Sequence, residues 1–187
     1  TGFSPDRAAL HEATPRFRAE RVVEQLGASF GDSWYPTWKQ HTARNIRRSA
    51  LHDRHVADGA HFNASVGWEF AEWFDEPGNP VATVPGFDRQ PSFPLVAREH
   101  RAVREDVGIL DMSLMAKFRV QGPAAAEVLS RLSANNVTRE VGRLVYTQWL
   151  NVAGGIVADL TVNRLGEDDF LVVASDLIHR RVEPEIR

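Results

Sequence analysis

Asp159 is the only acidic residue between Leu144 and Asn163, in a stretch otherwise made of strand-forming and small residues. A fixed carboxylate beside a phenol and an amide can hold a proton or stabilise a developing positive charge, and the effect grows as the local dielectric falls. Tyr146 and Gln148 supply that phenol and amide if the chain brings them to the same side. Residues 143–150 and 156–164 are rich in β-branched, aromatic and large apolar side chains and flank Gly154 and Gly155, which predicts a hairpin. In its second strand Val157, Asp159, Thr161 and Asn163 point one way, and Ile156, Ala158, Leu160 and Val162 the other. A four-residue loop over 152–155 sets Gln148 opposite Asp159 and Tyr146 opposite Thr161; a five-residue loop sends Tyr146 to the other face. The run Phe170–Ala174, after the polar turn 166–169, extends the hairpin to a meander. The competing reading of Asp159 is a solvent-facing carboxylate on a half-exposed strand.

The elements that must position these residues are built from an ordinary composition. The chain has 187 residues, of which 43% are hydrophobic, 25% charged and 9% aromatic, as expected of a globular protein with one core and an appendage. No apolar run approaches the ~18 residues of a membrane span. The chain has no cysteine, which excludes disulfides and thiolate metal sites within it and suits a reducing compartment. A net charge of -3 gives no general reason to expect nucleic acid. The expectation is therefore a chain without membrane, nucleic-acid or metal partners, located in the cytoplasm, or in the mitochondrial matrix of a eukaryote. No phosphate-cradling Gly-x-x-x-x-Gly-Lys-Ser/Thr, dinucleotide-binding Gly-x-Gly-x-x-Gly or His-Glu-x-x-His occurs.

Along the chain, Thr14 and Pro15 predict a helix start, with Ala19, Val22, Val23 and Leu26 as its apolar stripe and Gly27 as its stop. Phe30, Trp34, Tyr35 and Trp38 are the aromatic residues expected to cover that stripe. Residues 41–55 hold four arginines against one aspartate, a pattern that reads as a solvated basic face or, less often, a polyanion site. Ser49, His52 and Asp53 are close in sequence, but a nucleophilic triad depends on placement in space. Five prolines between 75 and 94 predict a connecting loop. A second helix follows from Pro94, with Val96, His100, Val103 and Val107 on its packed side and Gly108 as its stop. Met112 and Met115 flank a turn and read as gap-filling core. A short strand, 117–121, then leads through Gly122 and Pro123 into a helix over Ala124, Val128, Leu129 and Leu132, closed by Asn135 and Asn136.

Three runs holding four motifs, in order and spacing, carry a resemblance: Arg104 to Pro123, Leu132 to Val137, and Tyr146 to Leu160 with its Gly-Gly-Ile-x-x-Asp-Leu. Together they resemble the folate-binding aminomethyltransferase family, whose founding member is the T-protein of the glycine cleavage system. The resemblance implies an α+β fold, mainly antiparallel sheet with packed helices, corresponding to the N-terminal part of the family's folate-binding domain. It also implies that Asp159 is the catalytic aspartate and a folate ligand, with Tyr146 and Met115 as further cofactor-binding residues and tetrahydrofolate as the cofactor. Ala158 stands where many members carry a first acid, and Ala174 where a pocket asparagine is common.

Upstream, Tyr35-Pro-Thr-Trp, Ala43 to Arg54, Gly67-Trp-Glu and Trp73-Phe74 are similar to the junction in sarcosine and dimethylglycine dehydrogenases. This similarity implies that residues 1–48 are the tail of a flavin oxidoreductase domain and residues 49–187 the beginning of the folate-binding domain. FAD would then sit in a missing N-terminal part of a longer parent, and the chain would be a fragment with exposed apolar surface. The parent would demethylate a small methylated amine substrate and pass the one-carbon unit to tetrahydrofolate. Alternatives are a stand-alone tetrahydrofolate-dependent demethylase, a glycine cleavage aminomethyltransferase, or a non-catalytic module docked on a partner flavoprotein domain or subunit.

Overall fold

The structure is a computed structural model that describes residues 11–31, 39–175 and 179–186. These residues form two compact units dividing between Leu114 and Met115; the expected boundary at residues 48/49 lies inside the first.

In the first unit Thr14 caps as its type dictates: its hydroxyl accepts from the Phe17 N–H at 3.3 Å, and Pro15 takes the first turn. Pro15–Phe17, a π-helical turn over Arg18–Val22, and Val23–Gly31 run on without a break and are together called α1. Gly27 does not stop this helix. The expected apolar stripe does not anchor it either, since Val22, Val23 and Leu26 are exposed, as is Phe30. Trp34, Tyr35 and Trp38 lie outside the described residues. Polar groups hold the helix instead. The Arg21 guanidinium reaches the Gln40 side chain and the Thr42 carbonyl, while Glu24 accepts from the backbone N–H groups of His41 (2.6 Å) and Thr42 (3.1 Å).

A short helix, α2 (His52–Ala57), leads into a hairpin of β1 (Ala60–Ser65) and β2 (Trp68–Phe74) that the sequence analysis did not anticipate. Its two-residue turn puts Val66 at φ +47° and Gly67 at φ +78°, a pair of left-handed residues that matches the twist of the flanking strands. Arg44 is not part of a solvated basic face. It forks onto the buried Glu69 of β2, which also accepts from the Asn45 N–H at 2.7 Å. Arg47 is likewise occupied: its N–H donates to the Gly67 carbonyl at 2.9 Å, and its guanidinium lies 4.4 Å from the centroid of the Trp68 ring. Residues 75–92 form the expected connection. α3 (Phe93–Glu105) then packs through Leu95 and Glu99, the latter accepting from the Phe74 N–H at 2.8 Å. His100, expected on the packed side, is exposed, as are Val103 and Val107, because the buried face is rotated to Leu95 and Glu99.

The second unit is a four-stranded antiparallel sheet in the order β3-β6-β5-β4, formed by β3 (Ala116–Gln121), β4 (Leu144–Leu150), β5 (Ile156–Gly166) and β6 (Asp169–Ala174). α4 (Ala125–Leu132) and α5 (His179–Ile186) contribute Leu129 and Val182 to its core. Alternation supplies the rest: Thr147 and Trp149, Ala158, Leu160 and Val162, and Phe170, Val172 and Ala174 are all buried on one face. The buried Trp149 has its indole N–H satisfied by the Ser133 hydroxyl at 3.0 Å. This arrangement is the α+β fold expected, with the meander β4-β5-β6 at its centre.

Two outcomes follow for stability. Burial pushes the Glu69 carboxyl up, but hydrogen bonds from Arg44 and the Asn45 N–H outweigh it and leave the group below its usual value. A carboxyl depressed on folding contributes stability above its unfolded value of about 4.3, and that stability is lost as pH falls through the folded value. Urea unfolding at successive acidic pH values should therefore show a loss that Glu69→Gln diminishes, with the variant weaker by about 2 kcal/mol at neutral pH. In the second unit Leu129 has no exposed surface, so Leu129→Ala should cost about 3 kcal/mol in the same measurement.

Candidate functional site

The face of the sheet opposite the core carries the candidate residues. β4 and β5 pair with Gln148 opposite Asp159, Tyr146 opposite Thr161 and Leu144 opposite Asn163, the register of a four-residue loop. It is reached by a shorter route. Asn151 N–H donates to the Gly155 carbonyl at 2.9 Å and Leu150 pairs with Ile156, so the turn closes one residue early; the register shift beyond Trp149 leaves Val157 as a bulge that restores the alignment. Ile156, expected with the core set, consequently lies outside it and is 67% exposed.

β6 and β3 continue the same rows. Thr161 pairs with Val173 and Val173 with Lys117, while Asn163 pairs with Leu171 and Leu171 with Arg119. β3 begins at Ala116 and β6 ends at Ala174, so Met115 and Ser175 adjoin this end of the two strands. Met115 is half-buried, and its carbonyl accepts from the Lys117 ammonium at 2.9 Å. Asp159 and Tyr146 share one face of the sheet, and Met115 stands just before β3, with β6 between that strand and β5. Met112, by contrast, is exposed rather than gap-filling. Ala174, where the family's pocket asparagine is common, faces the core, and Ser175 after it is half-buried.

Asp159 and Gln148 are the groups that act most on the exposed Tyr146 hydroxyl. The Asp159 contact stabilises the protonated phenol and pushes its pKa up; the Gln148 contact works in the opposite direction and offsets part of that rise. The ring itself remains 56% exposed. β4 is held from its outer edge by the segment after α4. Ala134 N–H donates to the Gln148 carbonyl at 2.9 Å, Asn135 N–H to the Thr147 hydroxyl at 3.0 Å, and the Asn135 amide to the Tyr146 carbonyl at 2.8 Å. Asn135 therefore does more than end a helix: it holds the Tyr146 carbonyl and the Thr147 hydroxyl, while Ala134 holds the Gln148 carbonyl.

The Ser49, His52 and Asp53 grouping is not a relay. The Ser49 hydroxyl donates to Asp111 at 2.5 Å, His52 is buried against the Phe62 ring, and the Asp53 side chain is out in solvent near Arg48. Among the described residues no group of three or more His, Asp and Glu side chains is placed to hold a metal ion, and no helix is long and apolar enough to cross a membrane.

With this geometry in view, comparison with known proteins is specific. Residues 51–187 match the family model described as the GCVT N-terminal domain. The chain is 37% identical over 175 residues to the 4-methylaminobutanoate oxidase (formaldehyde-forming) of Paenarthrobacter nicotinovorans, which covers 94% of this chain and 21% of that protein. It is 29% identical over 139 residues to the mitochondrial dimethylglycine dehydrogenase of Mus musculus, covering 74% of this chain and 16% of the relative. The structure of the glycine cleavage system aminomethyltransferase T from Bartonella henselae superposes with a TM-score of 0.59 at 28% identity, over 76% of this chain and 35% of that one. The chain thus spans about a third or less of the length of these proteins. Sequence, sheet register and superposition agree that the chain belongs to the aminomethyltransferase family, with residues 51–187 forming the family's GCVT N-terminal domain.

Proposed function

We propose that the open face around Asp159 binds tetrahydrofolate and receives a one-carbon unit released from an N-methylated amino acid, of the dimethylglycine or sarcosine kind, by a flavin-dependent part of the same protein. The observation that carries this reading is the extent of the match to the Paenarthrobacter oxidase. At 94% of this chain it extends upstream of Leu51, where the aminomethyltransferase domain begins. On this reading residues 1–48 belong to the oxidoreductase portion, which would hold FAD, and residues 49–187 to the folate-binding portion.

The residues present suit a reduced pterin. Tyr146, Leu144, Leu171 and Val173 offer flat or apolar surface, and Asp159, Gln148 and Thr161 offer hydrogen-bonding groups in register on the same face. Tetrahydrofolate, when bound, supplies the ring nitrogen that accepts the one-carbon unit. Asp159 supplies a carboxylate on the same face as Tyr146 and Gln148, where it can orient that nitrogen and stabilise positive charge as it develops. Its effect is greatest when water is excluded from the face. Tyr146 forms a wall with a polar edge, and Met115 a soft, adaptable one.

Calorimetric titration of the chain with tetrahydrofolate tests this reading. Saturable binding weakened about tenfold or more by Asp159→Asn is the expected result, the loss of one charge-assisted contact. A folded chain that binds no tetrahydrofolate, or binds it equally well as Asp159→Asn, overturns the assignment.

A further inference from the structure

The four arginines of residues 41–55 are all engaged within their own unit: Arg44 by Glu69, Arg47 by the Trp68 ring, Arg48 by Asp53 and Arg54 by Asp58. Arg139 and Arg143, in the second unit, are placed differently. They line an open recess of about 490 Å³ that also takes in Asn136, Leu144 and Tyr146, so it begins where the candidate face ends. Among the described residues no hydrogen bond occupies the Arg139 guanidinium, and Arg143 lies 3.8 Å from Glu140, too far for one. The Asn136 amide oxygen accepts from the Thr138 N–H at 2.9 Å and from the Thr138 hydroxyl at 2.8 Å, which leaves the NH2 to donate. Donors therefore gather in the recess, with the exposed Glu140 as the acid beside them.

The backbone that carries both arginines is fixed from β5. The Arg164 side chain donates to the Arg139 carbonyl at 2.9 Å and to the Glu167 carbonyl at 3.0 Å, its N–H donates to the Arg143 carbonyl at 3.0 Å, and its carbonyl accepts from the Gly142 N–H at 2.7 Å. A guanidinium grips a carboxylate through paired N–H groups, so neighbouring guanidinium groups on a fixed backbone suit a ligand with more than one carboxylate. Leu144 lies four residues along β4 from Gln148, the partner of Asp159, a span of about 13 Å. Tetrahydrofolate has this layout, with its pterin at one end, a flat aminobenzoyl spacer, and the carboxylates of glutamate at the other. We propose that the recess is a carboxylate subsite in which Arg139 and Arg143 hold the glutamate tail of tetrahydrofolate, with the spacer lying across Tyr146 and Leu144. The proposal rests on the folate reading above and deepens it, since a longer glutamate tail brings more charge to the same arginines.

Calorimetric titration of the full chain with tetrahydrofolate and with its triglutamate form tests the subsite. The triglutamate form should bind about fivefold more tightly, and by a larger factor at low salt. Replacing both arginines, Arg139→Gln with Arg143→Gln, should abolish that preference and its salt dependence, whereas Asp159→Asn should weaken both forms alike and keep the preference. Both arginines are exposed, so the double variant should retain the circular dichroism of the parent. A parent without the preference, or a double variant that keeps it, overturns the subsite and leaves the folate reading standing. Arginine-dependent binding of p-aminobenzoyl-triglutamate, which lacks the pterin, together with tetrahydrofolate binding indifferent to Asp159→Asn, upholds the carboxylate recess and overturns the folate reading instead. Inorganic phosphate that binds as tightly as p-aminobenzoyl-triglutamate overturns the assignment to a carboxylate tail, and a folded parent that binds none of these probes overturns both readings.

Discussion

The pairing of β4 with β5 is the constraint on which the candidate site depends. Side chains alternate along a strand, so a slip of one residue would carry Tyr146 and Gln148 into the core and bring Thr147 and Trp149 out. Three features set against that slip. Trp149 and Thr147 are fully enclosed, Asn135 and Ala134 bind the outer edge of β4 at three points, and the Val157 bulge absorbs the residue by which the tight Asn151–Gly155 turn would misalign the strands. The core is therefore what aims Asp159. Leu160, Val162 and Ala158 are buried on one side of β5, and the carboxylate between Ala158 and Leu160 has only the opposite side available.

The first unit is organised differently, around a charge rather than an apolar layer. Glu69 is buried on β2, and its carboxylate is satisfied by the Arg44 fork and the Asn45 N–H. Accommodating those donors places Ala43 and Asn45 at φ +47° and +60°, a conformation that non-glycine residues seldom adopt and that the surrounding hydrogen bonds must maintain. Arg47 then joins the same segment to β2 through backbone bonds to Gly67 and Glu69. Leaving Glu69 without its partners would strand a charge away from water, so the segment and the hairpin stand or fall together.

Where local pattern and packing agreed, the sequence was a reliable guide. β4, β5 and β6 are enriched in β-branched and aromatic residues, bounded by Gly154–Gly155 and by 166–169, and appear where those signals fall. The helices were less legible because amphipathic spacing marks an apolar stripe without showing that anything covers it. In α1 the stripe is exposed and Arg21 and Glu24 do the holding; in α3 the packed face includes Leu95 and Glu99 and leaves out His100 and Val103. The β1–β2 hairpin escaped notice because its turn is Val66–Gly67, and valine is an unusual residue to find at positive φ.

Asp159 and Tyr146 stood out as candidates from residue type, spacing and family resemblance, and Met115 from the resemblance alone; a lone carboxylate in an apolar strand is a chemical anomaly visible in one dimension. The sequence also limited the face question to two alternatives, a four-residue or a five-residue loop. Only the tertiary structure chose between them, since the choice depends on which residues a core can enclose and on a bulge that no local propensity announces. It also decided that Ala174 turns inward, and that Arg44 serves Glu69 rather than an external anion. The first two turn on which apolar side chains the core encloses and the third on the cost of leaving a charged group unpaired away from water, and both depend on partners distant in sequence.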